Sequence, residues 1–125
     1  MCFHVSTPKQ TELEELLDNA IRNDEWDKYY HYMNGYDHLA LPTLRMESPN
    51  RITLNNWGLV AGWAKDKTYA DMLRKSCLNA KSEDIFSTAS FRNTIKTKRC
   101  LIFLNGFYEW RHLTTKDKYP YLVSV

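Results

Sequence analysis

The sequence predicts an α+β domain in which mainly antiparallel strands form an irregular, barrel-like sheet with helices at its periphery. A capped amphipathic helix stands near the N-terminus, and short apolar runs broken by turn residues follow from residue 41 onward. The order of these elements shows no regular β-α-β alternation, which argues against a parallel α/β sheet. At 125 residues and 43% hydrophobic, the chain can bury one modest core, so a single domain over 1–125 is expected.

The first helix is marked by Thr7-Pro8-Lys9-Gln10, with Thr7 as N-cap, Pro8 at the first helical position and Gln10 completing a capping box. Leu13, Leu16, Leu17, Ala20 and Ile21 follow at helical spacing, and Glu12, Glu14 and Glu15 favour the positive end of the helix dipole. The aromatic run 26–36 fits either helix or strand and ends at Asn34-Gly35, a turn signal. Strands are expected over 41–46, 51–54 and 57–61, with Gly58 and Gly62 marking bends. Short helices are expected over 68–75, capped by Thr68, and over 91–97, capped by Ser90. Residues 99–104 and 107–111 flank Asn105-Gly106 and read as a hairpin, and 118–125 as a further strand.

No stretch reaches the roughly 18 apolar residues of a membrane span, and the start MCFHVSTPKQ lacks the layout of a signal peptide. A cytoplasmic protein without membrane contact, and a monomer, is therefore expected. Cys2, Cys77 and Cys100 are an odd number without CxxC spacing, which argues against a disulfide framework and a zinc ribbon. Cys77 and Cys100 read as small buried or half-buried hydrophobes. The histidines show no ligand spacing, so neither metal nor cofactor is expected. Net charge is only +2, but residues 86–125 carry seven Lys or Arg against two Asp or Glu. Such a basic stretch suits a phosphate backbone, and equally a solvated surface.

Cys2 carries the most distinctive chemistry. Removal of Met1 leaves an amine and a thiol on one carbon framework, which can condense with an aldehyde to an imine and close to a five-membered thiazolidine. Proximity makes the closure effectively unimolecular. An α-amine of pKa about 7.7–8.0 keeps a neutral fraction near pH 7 that a lysine at about 10.4 lacks. Taken alone, though, a cysteine at position two is most often only the residue after the initiator.

Three further segments change that reading: Trp57-Gly58-Leu59-Val60-Ala61-Gly62-Trp63, Asn79-Ala80-Lys81-Ser82-Glu83, and Arg99-Cys100-Leu101-Ile102-Phe103-Leu104-Asn105-Gly106-Phe107-Tyr108-Glu109-Trp110. With Met1-Cys2 they resemble, in order, the Met-Cys start, the Trp-Gly segment, the Asn-Ala-Arg-x-Glu motif and the Gly-Phe-Tyr-Glu-Trp strand pair of the SOS-response-associated peptidase (SRAP) family. Ser90-Phe91-Arg92 and Pro120-Tyr121 match smaller landmarks. The resemblance implies capture of abasic sites in single-stranded DNA as a covalent crosslink. It makes Cys2 the nucleophile, Asn79 a group that positions the N-terminus and substrate, and Glu109 the acid/base. Period-two alternation sets Phe107, Glu109 and Arg111 on one strand face, where an aromatic neighbour would partly desolvate the carboxylate.

His4, Lys81, Ser90, Arg92, Lys98 and Arg99 are the candidate contacts to the DNA strand, and Trp57 and Trp63 are either stacking platforms or core. Two other readings stay open: a non-catalytic DNA-binding or structural remnant, and a cysteine peptidase that exposes Cys2 by autoproteolysis. The chain also departs from the family pattern. Phe3-His4 stands for Gly-Arg, Lys81 for Arg and Phe103 for Pro, which removes two planar phosphate forks. The family's catalytic histidine, in a His-x-Arg-Met-Pro-like segment, has no counterpart here, so the expected domain is incomplete at its C-terminus. A retained Met1 would acylate the Cys2 nitrogen and block ring closure.

Overall fold

The fold was examined in a computed structural model that describes residues 3–17, 22–23 and 30–124. Cys2, the helix positions Ala20 and Ile21, and most of the aromatic run before residue 30 lie outside those residues. Among those residues the architecture is α+β: two four-stranded sheets and two α-helices, with two short 3-10 turns. The strands are β1 (His4–Ser6), β2 (Arg22–Asn23), β3 (Met33–Asn34), β4 (Ala40–Arg45), β5 (Arg51–Asn56), β6 (Cys100–Ile102), β7 (Gly106–His112) and β8 (Lys118–Ser124). The helices are α1 (Gln10–Leu16) and α2 (Lys67–Ser76). The first sheet runs β3-β1-β7-β8 with every pair antiparallel, and the second runs β2-β5-β4-β6 with a single parallel pair, β2 with β5.

Helix α1 starts later than its sequence signal implies. Lys9 occupies the N-cap position, and the Glu12 carboxylate accepts its backbone N–H at 2.9 Å, which is one half of a capping box. Thr7 is not the cap; it is buried and exchanges hydrogen bonds with Tyr30, its hydroxyl accepting the Tyr30 N–H at 3.0 Å and its own N–H donating to the Tyr30 carbonyl at 2.9 Å. Of the expected apolar stripe, Leu13 is buried and Leu16 is 73% exposed. Helix α2 is capped by Asp66 rather than Thr68: the Asp66 carboxylate accepts the Tyr69 N–H at 2.8 Å, and Arg74 and Lys75 complement the dipole at its far end.

Three further expectations are corrected. Residues 57–61 form no strand; they turn away after β5, with Gly58 at φ +109° and its Cβ position only 2.5 Å from Arg74 Cγ and 2.9 Å from the Arg74 carbonyl. The segment 91–97 is a run of turns with one 3-10 turn, Thr94–Lys96, and Ser90 accepts the Thr94 hydroxyl through its carbonyl instead of capping a helix. Asn105-Gly106 is no hairpin turn, because β6 pairs with β4 in one sheet and β7 pairs with β1 and β8 in the other. The pair instead carries the chain between sheets: Phe103 N–H donates to the Pro42 carbonyl at 3.1 Å and Asn105 N–H to the Ser6 carbonyl at 2.9 Å. The true hairpin joins β7 to β8 through Thr114–Asp117, closed by a Thr114 hydroxyl to Asp117 carboxylate bond of 2.8 Å.

The core lies where the sheets face each other. Val5 of β1, Met33 of β3 and Leu41 of β4 form one buried cluster, flanked by Tyr30, Leu39 and Trp57. Ile52 of β5 is fully buried. Each such side chain contributes roughly 1.5–3 kcal/mol on leaving water. By contrast β8 is exposed along its length, and Leu101, Ile102, Tyr119, Tyr121, Leu122 and Val123 all keep large apolar surfaces open.

A methyl group at Gly106 would lie 2.5 Å from the Val123 carbonyl and 3.3 Å from Ser124 Cα, main-chain atoms that cannot swing aside. Gly106→Ala is therefore expected to lower stability by about 1–3 kcal/mol in urea unfolding, through separation of β7 from β8. The Glu12 carboxyl is held below its ordinary value, first by the Lys9 N–H and then by the Asn105 side chain. A depressed acid stabilises above its unfolded pKa and loses that contribution as pH falls through the folded value. An acid titration followed by circular dichroism should show α1 loosening below about pH 4.5, and Glu12→Gln should remove that step.

Candidate functional site

Strand β1 sits inside its sheet, bonded to β3 on one side and β7 on the other. Because β1 and β7 are antiparallel with Val5 opposite Phe107, moving from Val5 to His4 runs along β7 toward Tyr108, Glu109 and Trp110. The sequence singles out His4 and Glu109, 105 positions apart, and the sheet brings their strands side by side. The same register assigns them to opposite faces: Glu109 shares the face of Val5 and Phe107, and His4 that of Tyr108 and Trp110.

Glu109 is half-buried, stands opposite Tyr121 of β8, and lines a shallow cavity of about 330 Å³ with Trp110, Arg111 and Tyr121. On the other face the His4 ring stacks on Tyr32 at 5.1 Å and 17°, and Trp110 meets it edge-on at 6.0 Å. Trp110 Nε1–H points at His4 Nδ1 from 3.5 Å, and the Tyr108 hydroxyl donates to the His31 carbonyl at 2.8 Å. Trp110, 42% exposed, escapes a reading built on Glu109 alone. Its signal is the alternation in Phe107-Tyr108-Glu109-Trp110, which gives the strand an aromatic face opposite the carboxylate.

Asn79 follows helix α2 and is half-buried, between the buried Cys77 and Leu78 and the exposed run that begins at Ala80. Its side-chain nitrogen is buried and meets no acceptor among the described residues, an arrangement that costs about 1–3 kcal/mol and persists only where the surroundings impose it. Trp57 is half-buried against the Val5–Met33–Leu41 cluster, and its indole N–H donates to the Leu78 carbonyl at 2.9 Å. Trp63 is different: it is 46% exposed and leans on Tyr69 at 5.7 Å.

The basic candidates are spread over one stretch of surface chain. Lys81, Arg92, Lys98 and Arg99 are exposed and Ser90 is half-buried. Lys98 and Arg99 stand at a mostly apolar cleft of about 620 Å³ that is also lined by Trp57, Leu78, Ala80 and Phe91. Cys77 is buried, whereas Cys100 is exposed, contrary to its reading as a packed hydrophobe. Partial desolvation and then the charge of Glu47 push the Cys100 thiol up, so it is a poor thiolate near neutral pH. Among the described residues no group of three His, Cys, Asp or Glu is arranged to hold a metal ion, and no helix is long and apolar enough to cross a membrane.

Comparisons with known proteins extend this picture. An X-ray structure of a Bacteroides thetaiotaomicron protein superposes on 99% of this chain and 54% of its own, with a TM-score of 0.84 and 28% identity. Abasic site processing protein YoaM of Bacillus subtilis is 30% identical over 109 residues, covering 87% of this chain and 45% of that protein. Abasic site processing protein YoqW of Bacillus phage SPbeta is 36% identical over 109 residues, covering 87% of this chain and 46% of that protein. Abasic site processing protein HMCES of Gallus gallus is 33% identical over 79 residues, 62% of this chain and 23% of that one. The chain thus spans less than half the length of the curated relatives it matches. The profile of one family matches residues 1–125 throughout, in agreement with the relatives and the superposed fold: the chain belongs to the SOS response associated peptidase (SRAP) family.

Proposed function

We propose that this chain processes abasic sites in DNA by covalent capture, with Cys2 as the nucleophile and single-stranded DNA as the partner. The observation that supports the reading most directly is the hydrogen-bonded pairing of β1, which follows Cys2 in sequence, with β7, which carries Glu109. In the ring-opened form of an abasic site the sugar C1 is an aldehyde. With Met1 removed, the Cys2 amine adds to that carbon to give a carbinolamine, which loses water to become an imine. The thiol then adds to the imine carbon while the nitrogen takes a proton, closing a thiazolidine; one water is released overall.

Two proton transfers limit this sequence, one to the departing hydroxyl and one from the thiol. A carboxyl group partly removed from water suits both, and Glu109 is half-buried beside Tyr121 and Arg111. Asn79, with a side-chain N–H that has no acceptor among the described residues, is suited to hold an oxygen of the sugar or the N-terminus. Lys98 and Arg99 supply positive charge at the cleft edge, and Trp63 and Trp110 offer open ring surface to unstacked bases. Cys100 competes poorly for the aldehyde because its thiol is held protonated. The Cys2 thiol would also serve a peptidase that exposes Cys2 by cleaving the bond before it, and the free aminothiol is then the product of that cleavage.

Incubation of the Met1-free protein with abasic single-stranded DNA should yield a heat-stable adduct. Cys2→Ala should abolish it, and Glu109→Gln should slow it by about a hundredfold or more. An adduct that persists in Cys2→Ala and needs borohydride for trapping would assign the chemistry to an imine alone, formed by the N-terminal amine that the variant retains or by a lysine, and not to a thiazolidine. Lys98→Ala and Arg99→Ala should each weaken binding across all sequences and flatten the logarithmic salt dependence by about 0.7. Unchanged slopes in fluorescence-anisotropy titrations would remove both residues from the DNA path.

A further inference from the structure

We infer that Trp57 is a positioning residue: through its indole N–H and ring it fixes Asn79 relative to the start of β1, rather than stacking on a base. The inference rests on the crosslinking reading above and names how that site is held together. Trp57 touches both sides of the site. Its Nε1–H donates to the carbonyl of Leu78, the residue before Asn79, at 2.9 Å. Its ring lies against Gly35, where a Cβ would come within 3.3 Å of Trp57 Cε3. Gly35 in turn donates its N–H to the Phe3 carbonyl at 2.7 Å, next to His4 at the start of β1.

The main chain that carries the indole is itself clamped. Trp57 N–H donates to the Leu39 carbonyl at 3.1 Å, and its own carbonyl meets His38 Nδ1 at 2.9 Å. Two residues on, Leu59 N–H donates to the Cys77 carbonyl at 3.2 Å, so segments 57–59 and 77–78 are tied at two points. Gly58 lets the main chain pass Arg74 between those ties, where a Cβ would collide. A ring held this way has one edge on the core, one donor committed to Leu78 and only its remainder along the cleft. The unpartnered Asn79 nitrogen is what such a strut would produce: an amide kept where it finds no acceptor of its own, available to an incoming oxygen.

The test replaces the donor and keeps the shape, by Trp57→Phe and, in a second protein, by benzothienylalanine at position 57, which exchanges the indole N–H for sulfur. The rate of adduct formation at saturating abasic single-stranded DNA should fall about tenfold, while the Kd for a strand with an unreactive abasic analogue stays within about twofold of the unmodified protein. On an Asn79→Ala background the same replacement should cost nothing further, because the two act as one unit. A raised Kd with an intact saturating rate would make Trp57 a base contact and overturn the inference. Equal losses with and without Asn79 would overturn it as well. Should the unmodified protein form no adduct, the crosslinking reading fails, and the Asn79 side-chain amide resonances decide alone: they should shift and exchange faster in both replacements, and unchanged resonances would sink the strut.

Discussion

Two main-chain hydrogen bonds at the crossing between the sheets, Phe103 N–H to the Pro42 carbonyl and Asn105 N–H to the Ser6 carbonyl, set the position of almost everything else. Between them the chain leaves the edge of one sheet, where β6 lies on β4, and enters the other, where β7 lies on β1. The Asn105 side chain reinforces the crossing by donating to the Thr7 carbonyl at 3.4 Å and to Glu12 at 3.3 Å, which ties the start of α1 to the same point. A slip of one residue here would turn the β7 side chains over and exchange the faces of Glu109 and Trp110. Gly106 makes the register possible because the β8 main chain passes where a Cβ would stand.

From that register follows a division of labour across β7. One face carries the carboxylate with Tyr121 and Arg111 at a small cavity, and the other carries Tyr108 and Trp110 against His4 and Tyr32. The carboxylate and the aromatic contacts thus sit back to back on a single strand. His4 stands where the family pattern has arginine, and its ring is used in stacking on Tyr32 rather than as a guanidinium fork. Positive charge is carried instead by the exposed basic side chains of 81–99.

Burial is uneven between the two halves of the fold. Val5, Met33, Leu41 and Ile52 close a core between β1, β3, β4 and β5, while β6 and β8 keep apolar side chains in the open. Edge strands with that much apolar surface are ready to pair with or pack on further protein.

Much of the candidate site was legible in the residues themselves. The α+β class, the strands near 41–46, 51–54 and 118–124, and the four ordered motifs that match the family all follow from local residue order, which a linear sequence records directly. Helix ends were less legible: Thr7 and Asp66 both carry capping side chains, and which of them caps depends on whether a partner such as Tyr30 claims the hydroxyl first. Only the tertiary structure decided that Asn105-Gly106 is a crossing between sheets, since the glycine answers to the close approach of Val123, a strand not yet formed when the turn signal is read. It also decided that Trp57 joins Leu78 to the start of β1 and that Glu109 and Trp110 face opposite ways. Those facts are set by contacts between residues far apart in sequence, whose pairing is fixed by the register of the sheets and the packing of the core, not by the identity of either partner alone.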